Sequence, residues 1–252
     1  KLTTDAVRAG AEIGSNSWGD DTQGRYDTAA MEFAALVRDA DPETPGGQPH
    51  ILEFSAGNAG PGQQTIGSPA VAKNVIATGA SQNERFGFFI YAEGMDAMAD
   101  FSSRGPCEDG RIKPDLVAPG TWIASLQSQG SGDENAWLPI SPFYQYQGGT
   151  SQAGPQVSGA AAVFVQYYRE MNNGPTPSPA LVKAALINSA VDMDNEAGGT
   201  DFVPNNDEGW GRVDLAELIG AGRTFDFTDQ TSLLLTGQTF EKRLVLESGD
   251  LP

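Results

Sequence analysis

The chain has 252 residues, an apolar fraction of 39%, a formal net charge of −18 and one cysteine, Cys107. This length accommodates one ordinary domain and part of another, and so acidic a surface argues against nucleic acid or an anionic membrane as a partner. A lone cysteine excludes a disulfide within the chain, and no apolar run reaches the length of a membrane span.

The first half of the chain alternates short apolar runs with amphipathic stretches. Apolar runs of four to six residues are typical of strands buried in a parallel sheet. Helices are predicted over residues 4–9 and 26–38, and strands over residues 13–17, 51–54, 75–78, 116–118 and 122–126. Residues 127–146 are polar, and we expect them to be irregular.

Helical patterns dominate most of the second half. Helices are predicted over residues 153–168, 179–190 and 215–221. Strands alternating with helices favour a three-layer α/β fold. The pattern changes near residue 224, where two strands, 232–235 and 240–247, are predicted around a turn at 236–239. We therefore place one domain over residues 1–223 and the beginning of a second over residues 224–252.

A serine follows two glycines directly before the long helical pattern, in the segment Gly148-Gly149-Thr150-Ser151. Glycines let backbone and substrate approach closely, and the start of a helix directs N–H groups and a positive dipole end at a nearby hydroxyl. The segment is thus suited to expose a nucleophile. By itself it is more typical of an ordinary helix cap.

Other segments narrow the interpretation. Together with residues 149–151, residues 16–19 (Asn-Ser-Trp-Gly), 54–60 (Phe-Ser-Ala-Gly-Asn-Ala-Gly) and 101–120 occur in the order and rough spacing of the subtilisin-like serine proteases. The chain resembles this family from about residue 3 to about residue 219, and residues 209–214 resemble its closing helix. The resemblance implies a partial subtilisin-like fold with a parallel sheet. It is strongest to alkaline subtilases that carry a C-terminal β-sandwich, which would begin at residue 224.

The resemblance also implies roles for individual residues. Ser151 matches the nucleophile, and Asn58 matches the side chain that stabilises the oxyanion. Substrate-binding positions follow for Ser17, Trp18, Gly19, Ser55, Ala56, Gly57 and Thr150. Small residues there and at 67–70 imply a roomy pocket for the residue before the scissile bond, and no charge is visible at its base. We therefore expect an apolar or broad preference.

Two departures from the family follow the serine. Gln152 stands where the family often has methionine, and a glutamine cannot be oxidised to a sulfoxide. Gln156 stands where the family often has a histidine that is not part of the catalytic triad. Neither change is expected to abolish activity.

The aspartate and histidine that the family's nucleophile needs are absent from the chain. A serine hydroxyl is a poor nucleophile without a base, and the sole histidine, His50, opens the strand 51–54 and matches no base motif. We interpret His50 as structural. We also expect the chain to be a fragment whose partner is its own missing N-terminal segment.

Calcium is an expected but weakly supported cofactor. The resemblance favours a structural calcium ion, and acidic loops supply the oxygen ligands that calcium prefers. The candidates are Glu84, Glu93 and Asp96, and a second acidic loop spans residues 192–207. Taken by itself, each stretch is more typical of a solvated loop.

Two functions remain open. The first is a secreted serine endopeptidase that hydrolyses polypeptide substrates by acyl transfer through Ser151. The alternative is a non-catalytic pseudoprotease or binding domain that retains the fold. An α/β-hydrolase is disfavoured because no serine lies in a Gly-x-Ser-x-Gly motif.

Overall fold

The computed structural model describes residues 1–88, 90–130, 136–193, 202–220, 225–229 and 234–243. The helices are α1 (Leu2–Arg8), α2 (Thr28–Leu36), α3 (Thr150–Met171), α4 (Pro179–Asn188) and α5 (Leu215–Ile219). The strands are β1 (Ile13–Asn16), β2 (Ile51–Ser55), β3 (Ile76–Ser81), β4 (Leu116–Pro119), β5 (Ile123–Leu126), β6 (Leu138–Ser141) and β7 (Tyr144–Gln147). None of the described helices combines the length and apolarity that a membrane crossing requires.

The central sheet has the order β1-β2-β3-β4, and all neighbouring strands are parallel. Every residue of β2 and β3 is buried. Within the described part of the chain β1 pairs with β2 alone, so its outer edge is open. Because the strands are parallel, their carboxyl ends meet at one edge of the sheet, where sites in such folds are usually found.

Successive residues of β2 face opposite layers. Ile51 packs in a core cluster with α3, α4 and α5, whereas Leu52 and Phe54 pack in a second cluster with α2. Alternation of this kind is the side-chain period of a strand. Helices therefore cover both faces of the sheet, and the prediction of a three-layer α/β fold is confirmed.

Side-chain caps fix where two of the helices begin. Asp27 accepts a hydrogen bond from the Ala30 N–H at 2.9 Å, and α2 starts at residue 28 and not at residue 26 as predicted. Ser178 caps α4 in the same way and is followed by Pro179, an arrangement that suits the first turn of a helix.

The prediction of irregular structure over residues 127–146 is wrong for residues 138–141 and 144–146. Strands β6 and β7 lie in this stretch and form a separate antiparallel sheet with β5, in the order β5-β7-β6. An aromatic ring from a loop distant in sequence supports it, since Phe88 contacts Trp122, which precedes β5, and Tyr146 of β7 at centroid distances of 4.1 and 5.2 Å. A strand stabilised by such distant partners shows no apolar run of its own.

The segment after α5 docks onto the α/β domain. Phe227 contacts the ring of Phe164 at 5.2 Å, and Asp229 accepts hydrogen bonds from the Ser178 N–H and hydroxyl at 2.7 and 2.6 Å. Residues 234–243, as described, form no strand. The rest of the two predicted strands, and the assignment of residues 224–252 to a second domain, lie partly outside the described residues and stay predictions.

Candidate active site

The site lies where β1 and β2 end and α3 begins. Helix α3 starts at Thr150, three residues earlier than predicted, so Ser151 lies in its first turn. Gly149 caps the helix at φ 150°, a backbone conformation that disfavours other residues. The first backbone N–H groups of a helix have no partner four residues earlier within the helix. Here Asn58 accepts from the Thr150 N–H and the Gly149 carbonyl oxygen accepts from the Gln152 N–H, whereas the Ser151 N–H lies beside the serine hydroxyl.

Asn58 is held by the start of the same helix. Its side-chain oxygen accepts hydrogen bonds from the Thr150 N–H at 2.9 Å and from the Thr150 hydroxyl at 3.0 Å. Ser55 in turn donates its hydroxyl to the Thr150 carbonyl at 3.1 Å. Because the Asn58 oxygen is occupied, the orientation of its NH₂ group is fixed away from Thr150.

Two N–H donors lie near one point beside the serine. A Cβ atom at Gly149 would lie 3.6 Å from the Asn58 Nδ2, 3.6 Å from the Ser151 backbone nitrogen and 2.8 Å from the Gln152 side-chain oxygen. Glycine avoids this crowding. The two donors come from different elements, and donors that converge in this way are suited to stabilising a negatively charged oxygen.

The Ser151 hydroxyl faces the backbone of the β1 end. Its Oγ lies 3.5 Å from the Ser17 carbonyl oxygen, at the limit of a hydrogen bond, and the Ser17 hydroxyl donates to the Ser151 carbonyl at 2.9 Å. Within the described residues no histidine or carboxylate bonds to the Ser151 Oγ. The geometry presents the hydroxyl but supplies no proton acceptor for it.

His50 lies at the opposite end of the strand. It directly precedes β2, whereas Ser55 ends β2 at the cleft, and five residues of strand span about 16 Å. His50 is 1% exposed, and burial lowers the pKa of its imidazole. The position agrees with a structural role for His50 and places it away from Ser151.

A cleft of about 390 Å³ adjoins the serine. It is lined by Ser17, Trp18, Gly19, Asp20, Asp21, Ser55, Gly57, Asn58, Ala59, Thr65, Gly67, Ser103, Thr150 and Ser151. Every residue predicted to be catalytic or to bind substrate, except Ala56, is among them, and of the predicted wall at 67–70 only Gly67 is. Ala56 is fully buried in the core beneath the cleft, so it contributes backbone and no exposed side chain.

Glycines give the cleft its depth. A Cβ atom at Gly57 would lie 2.7 Å from the Ser103 hydroxyl, and one at Gly19 would lie 2.7 Å from the Ser68 carbonyl oxygen. Neither approach tolerates a side chain. Thr65 lies outside the predicted motifs and was missed because only the fold brings its loop to the site. Ser103 lies within the motif at 101–120, but the motif gave no sign that it lines the cleft.

Glu53 is a buried acid beneath the nucleophile helix, and the sequence analysis also missed it. It is 1% exposed, and one carboxylate oxygen lies 3.4 Å from the Ser15 and Ser158 hydroxyls. A Cβ atom at Gly154 would clash with this carboxylate. Burial raises the pKa of Glu53 to about 7. One acidic residue within the apolar run 51–54 was the available signal.

The two glutamines after the serine are engaged locally. Gln152 donates its side-chain amide to the Gln147 side chain at 2.9 Å, and Gln156 donates to the Gln152 carbonyl oxygen at 3.0 Å. They brace the first turns of α3 beside the cleft. Neither makes a hydrogen bond to the Ser151 hydroxyl.

The proposed calcium ligands do not converge. Glu84 and Glu93 are neighbours through a backbone bridge, but the carboxylate of Asp96 pairs with Arg212 at 3.2 Å. In the second acidic loop Asp207 pairs with Arg104 at 3.0 Å, and residues 194–201 lie outside the described residues. No group of three or more potential metal ligands occurs within the described ranges, so these residues do not fit a calcium ion.

A parallel α/β sheet with a serine at a helix start, beside a cleft edged by amide donors, is the architecture of a serine protease. A model of the subtilase family matches residues 1–211, and the chain belongs to that family. This confirms the resemblance that the motifs indicate.

The curated relatives are proteases. Serine protease AprX of Bacillus subtilis (strain 168) is 37% identical over 140 residues, which cover 55% of this chain and 29% of that protein. Pyrolysin of Pyrococcus furiosus is 30% identical over 183 residues, 66% of this chain and 12% of that protein. The chain thus spans less than a third of either relative.

Solved structures share the fold. A lanthipeptide protease aligns with a TM-score of 0.60 at 22% identity, over 86% of this chain and 63% of that one. The prenylagaramide maturation protease PagA aligns with a TM-score of 0.59 at 24% identity, over 86% of this chain and 64% of that one. At these identities the likeness is one of fold alone.

Proposed function

We propose that the protein is a serine endopeptidase that cleaves polypeptides by acyl transfer. The Ser151 Oγ attacks the peptide carbonyl carbon, and the hydroxyl proton passes to a base. The Asn58 Nδ2 and the Ser151 N–H stabilise the oxyanion, the amine leaves with a proton, and water then hydrolyses the acyl-enzyme. Membership of the subtilase family supports this chemistry.

One observation supports the proposal most strongly. Two N–H donors, the Asn58 amide and the Ser151 backbone N–H, are held on separate elements and lie equally far from one point at Gly149, next to a serine hydroxyl. A domain that only binds peptides has no need of this convergence. The orienting bonds from Thr150 to Asn58 would likewise serve no purpose in it.

The base must come from elsewhere than the described residues. His50 lies at the far end of β2, and no titratable side chain bonds to the Ser151 hydroxyl. We assign the base to a further polypeptide segment bearing the triad histidine and aspartate, which the sequence analysis identified as the partner. Without it the oxyanion donors alone sustain only about 10³–10⁴-fold catalysis over water.

Substrate binding follows from the cleft walls. The end of β1 at Ser17–Gly19 exposes backbone beside Ser151, and an extended peptide can pair with it as an added strand. The wall residues Ser55, Gly57 and Thr150 would then surround the side chain before the scissile bond. Ala56 would contribute only through its backbone.

Two further features extend the proposal. We assign the protein to the outside of the cell, since a relative 36% identical over 50% of this chain is the minor extracellular protease Vpr of Bacillus subtilis (strain 168). Calcium is retained as a stabilising ion that takes no part in the chemistry. Its ligands are not Glu84, Glu93 and Asp96 as a set, because Asp96 is paired with Arg212.

The test is adduct formation at Ser151. A peptide boronic acid should convert from trigonal to tetrahedral boron on the intact chain, detected by boron NMR. The Ser151→Ala variant should abolish the adduct, and Asn58→Ala should weaken it. Replacement of the exposed Ser128 by alanine is the control and should change nothing.

The rival function, a pseudoprotease or binding domain, makes the opposite prediction. Its support is the lack of a base at Ser151. It predicts peptide binding without an adduct, and equal affinity in the wild type and in Ser151→Ala. That result would refute the acyl-transfer proposal.

A further inference from the structure

The cleft beside Ser151 carries negative charge that the sequence analysis did not assign to it. Asp20 and Asp21 follow the wall residue Gly19 and line the same cleft. No lysine, arginine or histidine is among its lining residues. A concave site lined by one sign of charge concentrates ligands of the opposite sign.

Hydrogen bonds hold the two aspartates in place, and in the described ranges no basic side chain neutralises their charge. Asp20 forms a backbone bridge with Ser68, each N–H donating to the other's carbonyl oxygen at 2.9 Å. Asp21 accepts a hydrogen bond from the Gln23 N–H at 3.3 Å. In the ranges that the structure describes, neither carboxylate forms an ion pair with a basic side chain.

The cleft is deep enough for a long side chain. Gly57 and Gly67 leave its walls without side chains, and a Cβ atom at Gly67 would lie 2.8 Å from the Asp20 carbonyl oxygen. Asp20 is therefore part of the same wall as Gly67. Ser151, the glycine walls and the segment that bears both carboxylates thus line one cleft.

We propose that Asp20 and Asp21 make this cleft selective for lysine or arginine at the residue before the scissile bond. The inference rests on the proposed function, and it replaces the apolar or broad preference expected from the sequence. Lysine and arginine lay their aliphatic stems along uncharged walls and keep their charged ends near solvent and counter-charges. This cleft provides uncharged walls for the aliphatic stem and carboxylates for the charged end.

The test compares matched peptide boronic acids that differ only in the last residue: lysine, leucine or glutamate. Binding to the intact chain is measured by calorimetry at low and high salt. The lysine peptide should bind roughly tenfold more tightly than the leucine peptide, and the glutamate peptide more weakly than either. High salt should shrink the difference because the carboxylates are exposed.

Variants test whether the two aspartates cause the preference for lysine. Asp20→Asn combined with Asp21→Asn should bring the lysine and leucine peptides within about twofold of each other. Glu32→Gln, an exposed change on α2, should leave the preference intact. Equal binding of all three peptides by the wild type would overturn the selectivity and leave the protease proposal standing. Failure of every peptide to bind or form an adduct would overturn both.

Discussion

Replacing Glu53 by glutamine should make the protein more stable at alkaline pH and almost unchanged at acidic pH. The carboxyl group is 1% exposed and lies against α3, with only long hydrogen bonds from Ser15 and Ser158. Glutamine keeps the shape and the hydrogen-bonding capacity of the side chain. It removes the charge that the wild type must bury once the group ionises.

The sign and size follow from the pKa. Burial raises the pKa of Glu53 from 4.5 to about 7 in the folded protein. Below pH 4.5 the group is protonated in both states and stability is complete. As pH rises from 4.5 through about 7 the unfolded state ionises first, so stability is lost. A shift of this size corresponds to about 3 kcal/mol, at 1.36 kcal/mol for each pH unit.

Urea unfolding at pH 4, 6 and 8 measures this directly. The difference in unfolding free energy between Glu53→Gln and the wild type should grow with pH to at most about 3 kcal/mol and then level off above pH 7. Glu32→Gln, exposed on α2, should show no such trend. A flat difference across the range would mean that the carboxylate is solvated or paired, contrary to the packing described.

Three further outcomes are expected. Once the base is supplied, Asn58→Ala should lower kcat by about 10²–10³ with little change in KM, measured by steady-state kinetics. Asp115→Asn should destabilise the fold by about 3–5 kcal/mol in urea unfolding, because Lys113 and Lys183 pair with this buried carboxylate at 2.6 and 2.8 Å. If calcium stabilises the protein, adding it should raise the Tm and a chelator should reverse the change; an identical Tm in both would remove calcium from the proposal.

The fold was predictable because its core strands carry their own signal. The apolar run at residues 51–54 predicts a buried strand without help from distant residues, and β2 covers this run and one further residue. Strands β6 and β7 were not predictable in the same way, since a ring distant in sequence, Phe88, packs against Tyr146 of β7. A sequence pattern reflects local chemistry and does not reveal contacts between residues that are far apart in the chain.

The site residues also fall into those that a local motif predicts and those that only the fold brings together. Ser151 and Asn58 were found because each lies in a short motif, and the structure brings both to one cleft. Asp20 also adjoins a motif, but its neighbour across the cleft wall is Gly67, which no spacing rule connects to it. Residues defined by what folds against them were therefore the ones missed.

The open outer edge of β1 has a kinetic consequence. A strand added there parallel to β1 would finish beside Ser17, whose carbonyl oxygen now holds the Ser151 hydroxyl by a bond of 3.5 Å. Breaking so long a hydrogen bond costs little free energy. If the segment bearing the base is a separate chain, the total rate of hydrolysis at low concentration should rise with the product of the concentrations of the two chains. If the segment is tethered, the rate per molecule should be independent of dilution, because the tether fixes an effective concentration in the millimolar range.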